Sequence, residues 1–326
     1  MEKIYDIFGI GNPVVDILAK IEDTFIEKLS LRKGSMHLIS RERREDILKE
    51  IASIPKNIVP GGSCANTMFA LSDLGLNVVY SGAISSDEYG NAFQKSTEKF
   101  GITGNLSLKE SPTASSIILI TEDTERTMNT YLGACREYDS SDVDIEKLKQ
   151  SRFLYFTGYM WDTESQKEAL KKAIKIAKEN DVKIIFDVAD PFAVSNSRED
   201  FLKIIKEDAD FFFANEEEAK MLSGKNTSDD AIEFLMLNAK AGAIKLGSNG
   251  SVIFSGNQRF DIDIFKVDAV DTTGAGDMYA AGVIFGIAKS LGFEKAGKIA
   301  SFSSAEVVKN IGARLDYSLK KKVLDL

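Results

Sequence analysis

Short apolar runs alternate along most of this chain with longer stretches whose apolar residues recur every three or four positions. The runs over residues 5–10, 78–84, 153–157, 183–187, 210–213 and 243–246 have the length and β-branched or aromatic content of buried strands. The longer stretches predict helices over 65–74, 92–100, 164–179, 216–222 and 231–238, a further one beginning at Asp277, and a last one near 294–309. Alternation of this kind predicts a largely parallel sheet with helices on both faces, and ligands in such sheets sit at the carboxyl ends of the strands. Two segments break the rhythm. Residues 12–40, with "VVDILAKIED" and "GSMHLIS", and residues 113–132, with "TASSIILIT" and "ERTMNTYL", read as hairpin-like strands without helices. Being alike in character, they are expected to pair into a small sheet that projects from the core and covers a site.

The apolar helix beginning at Asp277 has the most unusual start. The stretch "DTTGAGDMYAAG" puts Gly274, Ala275 and Gly276 just before Asp277 and then runs through Met278, Tyr279, Ala280 and Ala281 with almost no polar face. Unpaired N–H groups collect at a helix N-terminus, and residues with little side chain let another group's oxygens approach them. This start is shaped to hold an anion beside a carboxylate.

Composition narrows what such a site serves. Apolar residues make up 44% and charged residues 28%, the balance of an ordinary soluble globular protein. A net charge of −9 argues against nucleic-acid binding through a global basic footprint. No apolar run approaches the length of a membrane span and no signal pattern follows Met1, so the chain reads as cytoplasmic, without a membrane partner. With two cysteines, Cys64 and Cys135, and one histidine, His37, multi-histidine metal sites and disulfide frameworks are excluded. Catalysis must rest on carboxylates, Lys or Arg, and backbone dipoles.

Four other motifs carry candidate chemistry, each with a structural alternative. In "PGGSCANTMFALSDLG", Gly61 and Gly62 precede Asn66 on a helix start where a hydroxylated ligand can lie against the main chain, or where the pair simply makes a tight turn. "GIGNPVVD" imitates a dinucleotide fingerprint, but Pro13, Val14 and Val15 argue against a helix there; Asn12 and Asp16 can instead bond neighbouring hydroxyls, or form a turn. "FFFANEEEAKML" ends a buried strand with Asn215 and Glu218, which suit either Mg²⁺ held through water or a helix cap. "AIKLGSNGSVIF" places Gly247, Ser248 and Gly250 in a turn that is a hairpin signal and also presents N–H groups to a phosphate.

The order of these elements resembles that of the ribokinase-like carbohydrate and nucleoside kinases, the phosphofructokinase-B type, over essentially the whole chain. "DTTGAGDMYAAG" and "GGSCANTMFALSDLG" match the two signatures of that family and "NEEE" its Asn-x-x-Glu motif. The resemblance implies a three-layer α/β/α sandwich with a largely parallel central sheet and a small β-sheet lid. It implies one kinase domain over 1–326, its lid formed by about 13–40 and 113–133. It further implies ATP as co-substrate with Mg²⁺, and phosphorylation of a hydroxymethyl group. By the same resemblance Asp277 is the general base, Gly274, Ala275 and Gly276 form the anion hole, and Arg126 reaches the transferring phosphoryl group. Asn215, Gly247, Ser248, Gly250 and Thr272 meet ATP, and Asn215 with Glu218 organises Mg²⁺ through water. "GNPVVD", "SLRKGSMHLIS" and "ERTMNTYLGA" are similar to segments of adenosine kinases more than of ribokinases. That places Asn12, Asp16, Gly61, Gly62 and Asn66 on a ribose-like ring, Val14, Leu38, Leu132 and Ala134 around a base, and Tyr159 or Met160 at the core side. The expected substrate is a nucleoside, adenosine first, with a free sugar as the alternative. The resemblance also allows a monovalent cation such as K⁺ near Asp271 and Thr273, and a homodimer.

Overall fold

The computed structural model describes residues 2–326. Fourteen strands form two sheets. The strands are β1 Tyr5–Ile10, β2 Val14–Lys20, β3 Met36–Leu38, β4 Lys56–Gly61, β5 Val78–Ile84, β6 Thr103–Leu108 and β7 Ser115–Ile120, followed by β8 Arg126–Tyr131, β9 Ser151–Thr157, β10 Lys183–Asp187, β11 Phe211–Asn215, β12 Ala241–Lys245, β13 Ser251–Ser255 and β14 Gln258–Ile262. The large sheet has nine strands in the order β14-β13-β12-β11-β10-β9-β1-β5-β6, parallel from β12 to β6, with β13 and β14 antiparallel at one edge.

Because successive strand residues point to opposite faces, each central strand feeds two cores. Ile7, Val78, Tyr155, Ile185 and Phe213 pack on one side with the helices Ser63–Asp73, Ala275–Ala288 and Phe293–Val307. Phe8, Val79, Phe156, Phe186 and Phe212 pack on the other with Glu164–Glu179, Pro191–Lys203 and Ser228–Asn238. The molecule is thus a ribokinase-like α/β fold, with helices on both faces of a mostly parallel sheet. The chain winds outward from β1 in both directions, so the strand order reverses between β1 and β9, the place where open parallel sheets form a ligand crevice. No helix among the described residues is long and apolar enough to cross a membrane.

The second sheet has five strands in the order β3-β8-β7-β2-β4. β7 and β8 form an antiparallel hairpin, but residues 12–40 depart from the hairpin-like, helix-free expectation. β2 pairs with β4 and β7, β3 pairs with β8, and the helix Asp23–Lys28 lies between β2 and β3. Ile26 and Leu29 drive this helix, burying themselves in the larger core at helical spacing. β4 joins the small sheet although Pro60 and polar neighbours hide its strand pattern. Its register puts Gly61 opposite Val14 and leads directly into the helix Ser63–Asp73.

Register also sorts the faces of the small sheet. Val15, Ile17, Ala19, Ile117 and Leu119 are buried beneath it. Met36, Leu38, Arg126, Met128, Thr130, Ser116, Asp16 and Val14 share the other face through their cross-strand pairs, and Met36, Leu38 and Met128 are exposed there.

Candidate active site

The start of the helix Ala275–Ala288 is the centre of the crevice. Gly274 precedes it with φ +77°, and a Cβ there would stand 2.6 Å from the Cα of Ala313, so both the backbone conformation and the close approach require glycine. No side chain caps this helix. The N–H groups of Gly274, Gly276 and Asp277 have no acceptor among the described residues, as the first turn of a helix dictates. Ala275 is the exception and corrects part of the expected anion hole: its N–H already donates to the Thr272 carbonyl at 3.1 Å. The open donors are therefore those of Gly274, Gly276 and Asp277.

Asp277 is held from the neighbouring helix. Ser63 Oγ donates to Oδ1 at 2.6 Å and Asn66 Nδ2 to Oδ2 at 2.9 Å, while Thr67 Oγ1 donates to the Asp277 carbonyl at 3.2 Å. Burial pushes the carboxyl of Asp277 above its ordinary value, and the Ser63 and Asn66 bonds oppose that rise. A carboxylate fixed by two donors, at the positive end of a helix dipole and beside free N–H groups, can take a proton from a hydroxyl whose oxygen attacks an anion bound at the same helix start.

Around it stand the residues singled out in the sequence. Gly62 has φ +99°, and a Cβ there would lie 2.3 Å from the Asn12 carbonyl oxygen, so the chain turns sharply against the exit of β1. Asp16 faces Gly61 and is pushed up to about 6 by burial, with Arg314 and Arg126 pulling it down. Asn12 is tied to protein on both sides, donating to the Tyr159 carbonyl at 3.3 Å and accepting from Gln166 Nε2 at 3.0 Å; it bridges the ends of β1 and β9 across the switch point. Tyr159 lies open at that mouth, its hydroxyl on Asp190 at 3.1 Å. Val14 and Leu38 lie on the crevice face of the small sheet and Leu132 is half-buried. Ala134 and Met160 do not join them: both are completely buried, Ala134 in the turn Gly133–Glu137 and Met160 with its sulfur against Gln166, so neither offers a wall to a ligand.

Arg126 crosses from β8 to the core and binds Asp271 Oδ2 at 2.6 Å and Thr273 Oγ1 at 2.9 Å. Asp271 also accepts from the Thr273 N–H at 3.0 Å and the Gly312 N–H at 2.7 Å. Burial would raise its carboxyl, but these bonds and Arg126 hold it below the ordinary range. A carboxylate so occupied is a poor ligand for the monovalent cation that the resemblance allows.

At the ends of β11 and β12 lie the remaining candidates. Asn215 and Glu218 form a reciprocal cap: Glu218 N–H donates to Asn215 Oδ1 at 2.9 Å, and Glu218 accepts from the Asn215 N–H at 2.8 Å and from Nδ2 at 2.6 Å. The capping alternative is thus realised. Glu218 is buried, which pushes it up to about 7 even though Lys245 opposes the rise. No group of three or more His, Cys, Asp or Glu among the described residues could hold a bare ion. The donor set fits Mg²⁺ only in the way that ion favours, with phosphates as ligands and the carboxylate accepting from its water shell. Gly247 and Ser248 are exposed in the turn between β12 and β13, which Gly250, half-buried, closes, and Thr272 is exposed beside the helix start.

Four residues at the site escaped the sequence reading. Ser63 sat unmarked inside a quoted motif. Asp187 and Lys245 end apolar parallel strands at the ligand edge, a charge placement that could have drawn attention. Arg314 comes from the C-terminal segment, donates to Asn66 Oδ1 at 3.3 Å and stacks 3.4 Å from the Phe69 ring centroid; no local pattern marks it.

Comparison with known proteins identifies the family. The model of the pfkB family carbohydrate kinases matches residues 36–320. An adenosine kinase structure from Sinorhizobium meliloti superimposes with a TM-score of 0.88 at 35% identity, covering 98% of this chain and 99% of that one. A probable sugar kinase from Rhizobium etli gives 0.90 at 32% identity over 100% and 99%. A 5-dehydro-2-deoxygluconokinase of Listeria monocytogenes is 27% identical over 76% of this chain and 80% of its own. The chain belongs to the pfkB family of carbohydrate kinases, and is a phosphotransferase with an alcohol acceptor.

Proposed function

We propose that this protein transfers the γ-phosphoryl group of ATP to the 5′-hydroxyl of a nucleoside, adenosine before others. The observation that carries the reading is Asp277, fixed by Ser63 and Asn66 at an uncapped helix start, with Met36, Leu38 and Met128 exposed on the small sheet. Asp277 takes the hydroxyl proton as the acceptor oxygen attacks phosphorus. The N–H groups of Gly274, Gly276 and Asp277 stabilise the charge on the transferring oxygens, and Arg126 is placed to leave Asp271 and add to them. Asn215, the 247–250 turn and Thr272 border the space for the nucleotide. Mg²⁺ neutralises phosphate charge when bound, with Glu218 and Asn215 next to its waters.

Asp16, the Gly61–Gly62 turn and Asn66 suit a ribose, whose hydroxyls need an acceptor and close main-chain contact. Val14, Leu38, Met36 and Met128 suit the flat apolar face of a base. In this reading residues 1–326 form one kinase domain and the small sheet is its lid, built from 13–40 and 113–133 with β4 added. A free sugar as acceptor is the second reading, favoured by the likeness to the Rhizobium etli and Listeria proteins. ADP release measured across adenosine, other nucleosides, ribose and fructose separates the two. Adenosine is expected to give the highest kcat/KM, and a free sugar turning over much faster than any nucleoside would overturn the first reading.

A further inference from the structure

Lys245 stands where the large sheet meets the start of the helix Ala275–Ala288. It ends β12, whose four preceding residues are buried and uncharged, and only 18% of its side chain is exposed. Its ammonium reaches the start of the catalytic helix: a methyl group on Gly276 would stand 3.3 Å from Nζ. Its ion-pair partner, Asp187 Oδ1 at the end of β10, stands 3.5 Å away, long for a charge-assisted hydrogen bond. An ammonium has three N–H donors, and this long contact is to the one carboxylate within ion-pair distance of Nζ among the described residues. A mostly buried cation left this short of acceptors beside three open backbone N–H groups is arranged for an anion.

We propose that Lys245 is a catalytic residue, the cationic arm of the phosphoryl site, and that Asp187 is the counter-ion that positions it while no phosphate is bound. This rests on the phosphotransfer reading above. In the step, the acceptor oxygen forms its bond to the γ-phosphorus, the bond from phosphorus to the β,γ-bridging oxygen breaks with its electron pair leaving on ADP, and the acceptor proton goes to Asp277. Lys245 exchanges no proton; it meets the phosphoryl oxygens as charge shifts during transfer. Asp187, Glu218 and Asp277 surround its ammonium and outweigh the effect of burial, keeping it charged. Without that cation a triphosphate would enter a pocket of three carboxylates.

The test uses Lys245→Met, Lys245→Arg and the double variant Lys245→Met/Asp187→Asn. Removing Lys245 alone leaves Asp187 buried without its partner, and the double variant restores folding if that is the fault. Turnover is expected to fall about a hundredfold in both methionine variants, as loss of one transition-state donor does, and to recover in part with arginine. Affinity for β,γ-methylene-ATP is expected to fall roughly tenfold while ADP affinity holds, because the lost contact is to the γ-group. Turnover in the double variant within about threefold of wild type, or equal losses for ADP and β,γ-methylene-ATP, would overturn the proposal. The binding comparison needs no acceptor. If wild-type protein phosphorylates no nucleoside or sugar, the functional reading fails while the contact of Lys245 with the γ-phosphate is still decided by the binding comparison.

Discussion

Asp16 carries a charge that folding disfavours. Burial raises its carboxyl to about 6 even with Arg314 and Arg126 nearby, so the native protein holds that proton more tightly than the unfolded chain. Asp16 therefore contributes its full stability below the ordinary aspartate range and loses it as pH rises through about 6. The variant Asp16→Asn is expected to be more stable than wild type near pH 7.5, on the order of 1–2 kcal/mol after allowance for partial exposure, and to converge with it near pH 4. Urea unfolding at the two pH values checks this, and an unchanged difference across the range would contradict it. The carboxylates held low, Glu306 and Asp123, do not confuse the result, since their stability fades only below the ordinary carboxylate range. Catalysis has the opposite slope. In the proposed reaction Asp277 must be ionised to accept a proton and burial raises its pKa, so kcat/KM is expected to fall as pH drops through that raised value.

At the level of elements, the start of the helix Ala275–Ala288 depends on one backbone conformation. Gly274→Ala would put a methyl group at φ +77° and 2.6 Å from Ala313 Cα. The left-handed conformation alone costs about 1–2 kcal/mol, and the clash must also displace the 312–314 segment that bonds Asp271 and Asn66. The variant is expected to lose both thermal stability and turnover; a midpoint within a degree of wild type would contradict that packing. Elements with strong periodicity were legible in the sequence: β1, β5, β10 and the helix Glu164–Glu179 lie where the pattern places them. The helix Arg41–Glu50 was not, because it buries little beyond Arg44 and Ile47, and its Ser40 cap is a signal only once a helix is suspected. Asp277, Asn66 and Asp16, which the structure brings together, could be singled out because glycine pairs and strand ends mark where backbone leaves room for other groups. Arg314 could not, since its role comes from a tertiary crossing. Ala134 differs from expectation for the same reason: an apolar residue near a strand of the small sheet looks like a wall, and only packing reveals that it is completely buried.

At the scale of the whole molecule, Arg126 ties the small sheet to the segment that leads into the helix Ala275–Ala288, through Asp271 and Thr273. The pair is mostly buried, but Asp271 keeps the Thr273 and Gly312 N–H bonds when the arginine is removed, so the pair adds modestly to stability. Arg126→Ala is expected to lower kcat about tenfold or more by removing a donor to the transferring group, while shifting the unfolding midpoint by no more than a degree or two. A large loss of stability with unchanged kcat would make the arginine a strut instead. In the proposed function, the arrangement as a whole brings an acceptor hydroxyl between the small sheet and Asp277 while a triphosphate lies at the helix start. The most direct test is Asp277→Asn, assayed for ADP release with adenosine and for ATP binding by calorimetry. Turnover is expected to fall by at least about a hundredfold with ATP affinity preserved, as removal of a general base does. Turnover equal to wild type in that variant would contradict the account at its centre.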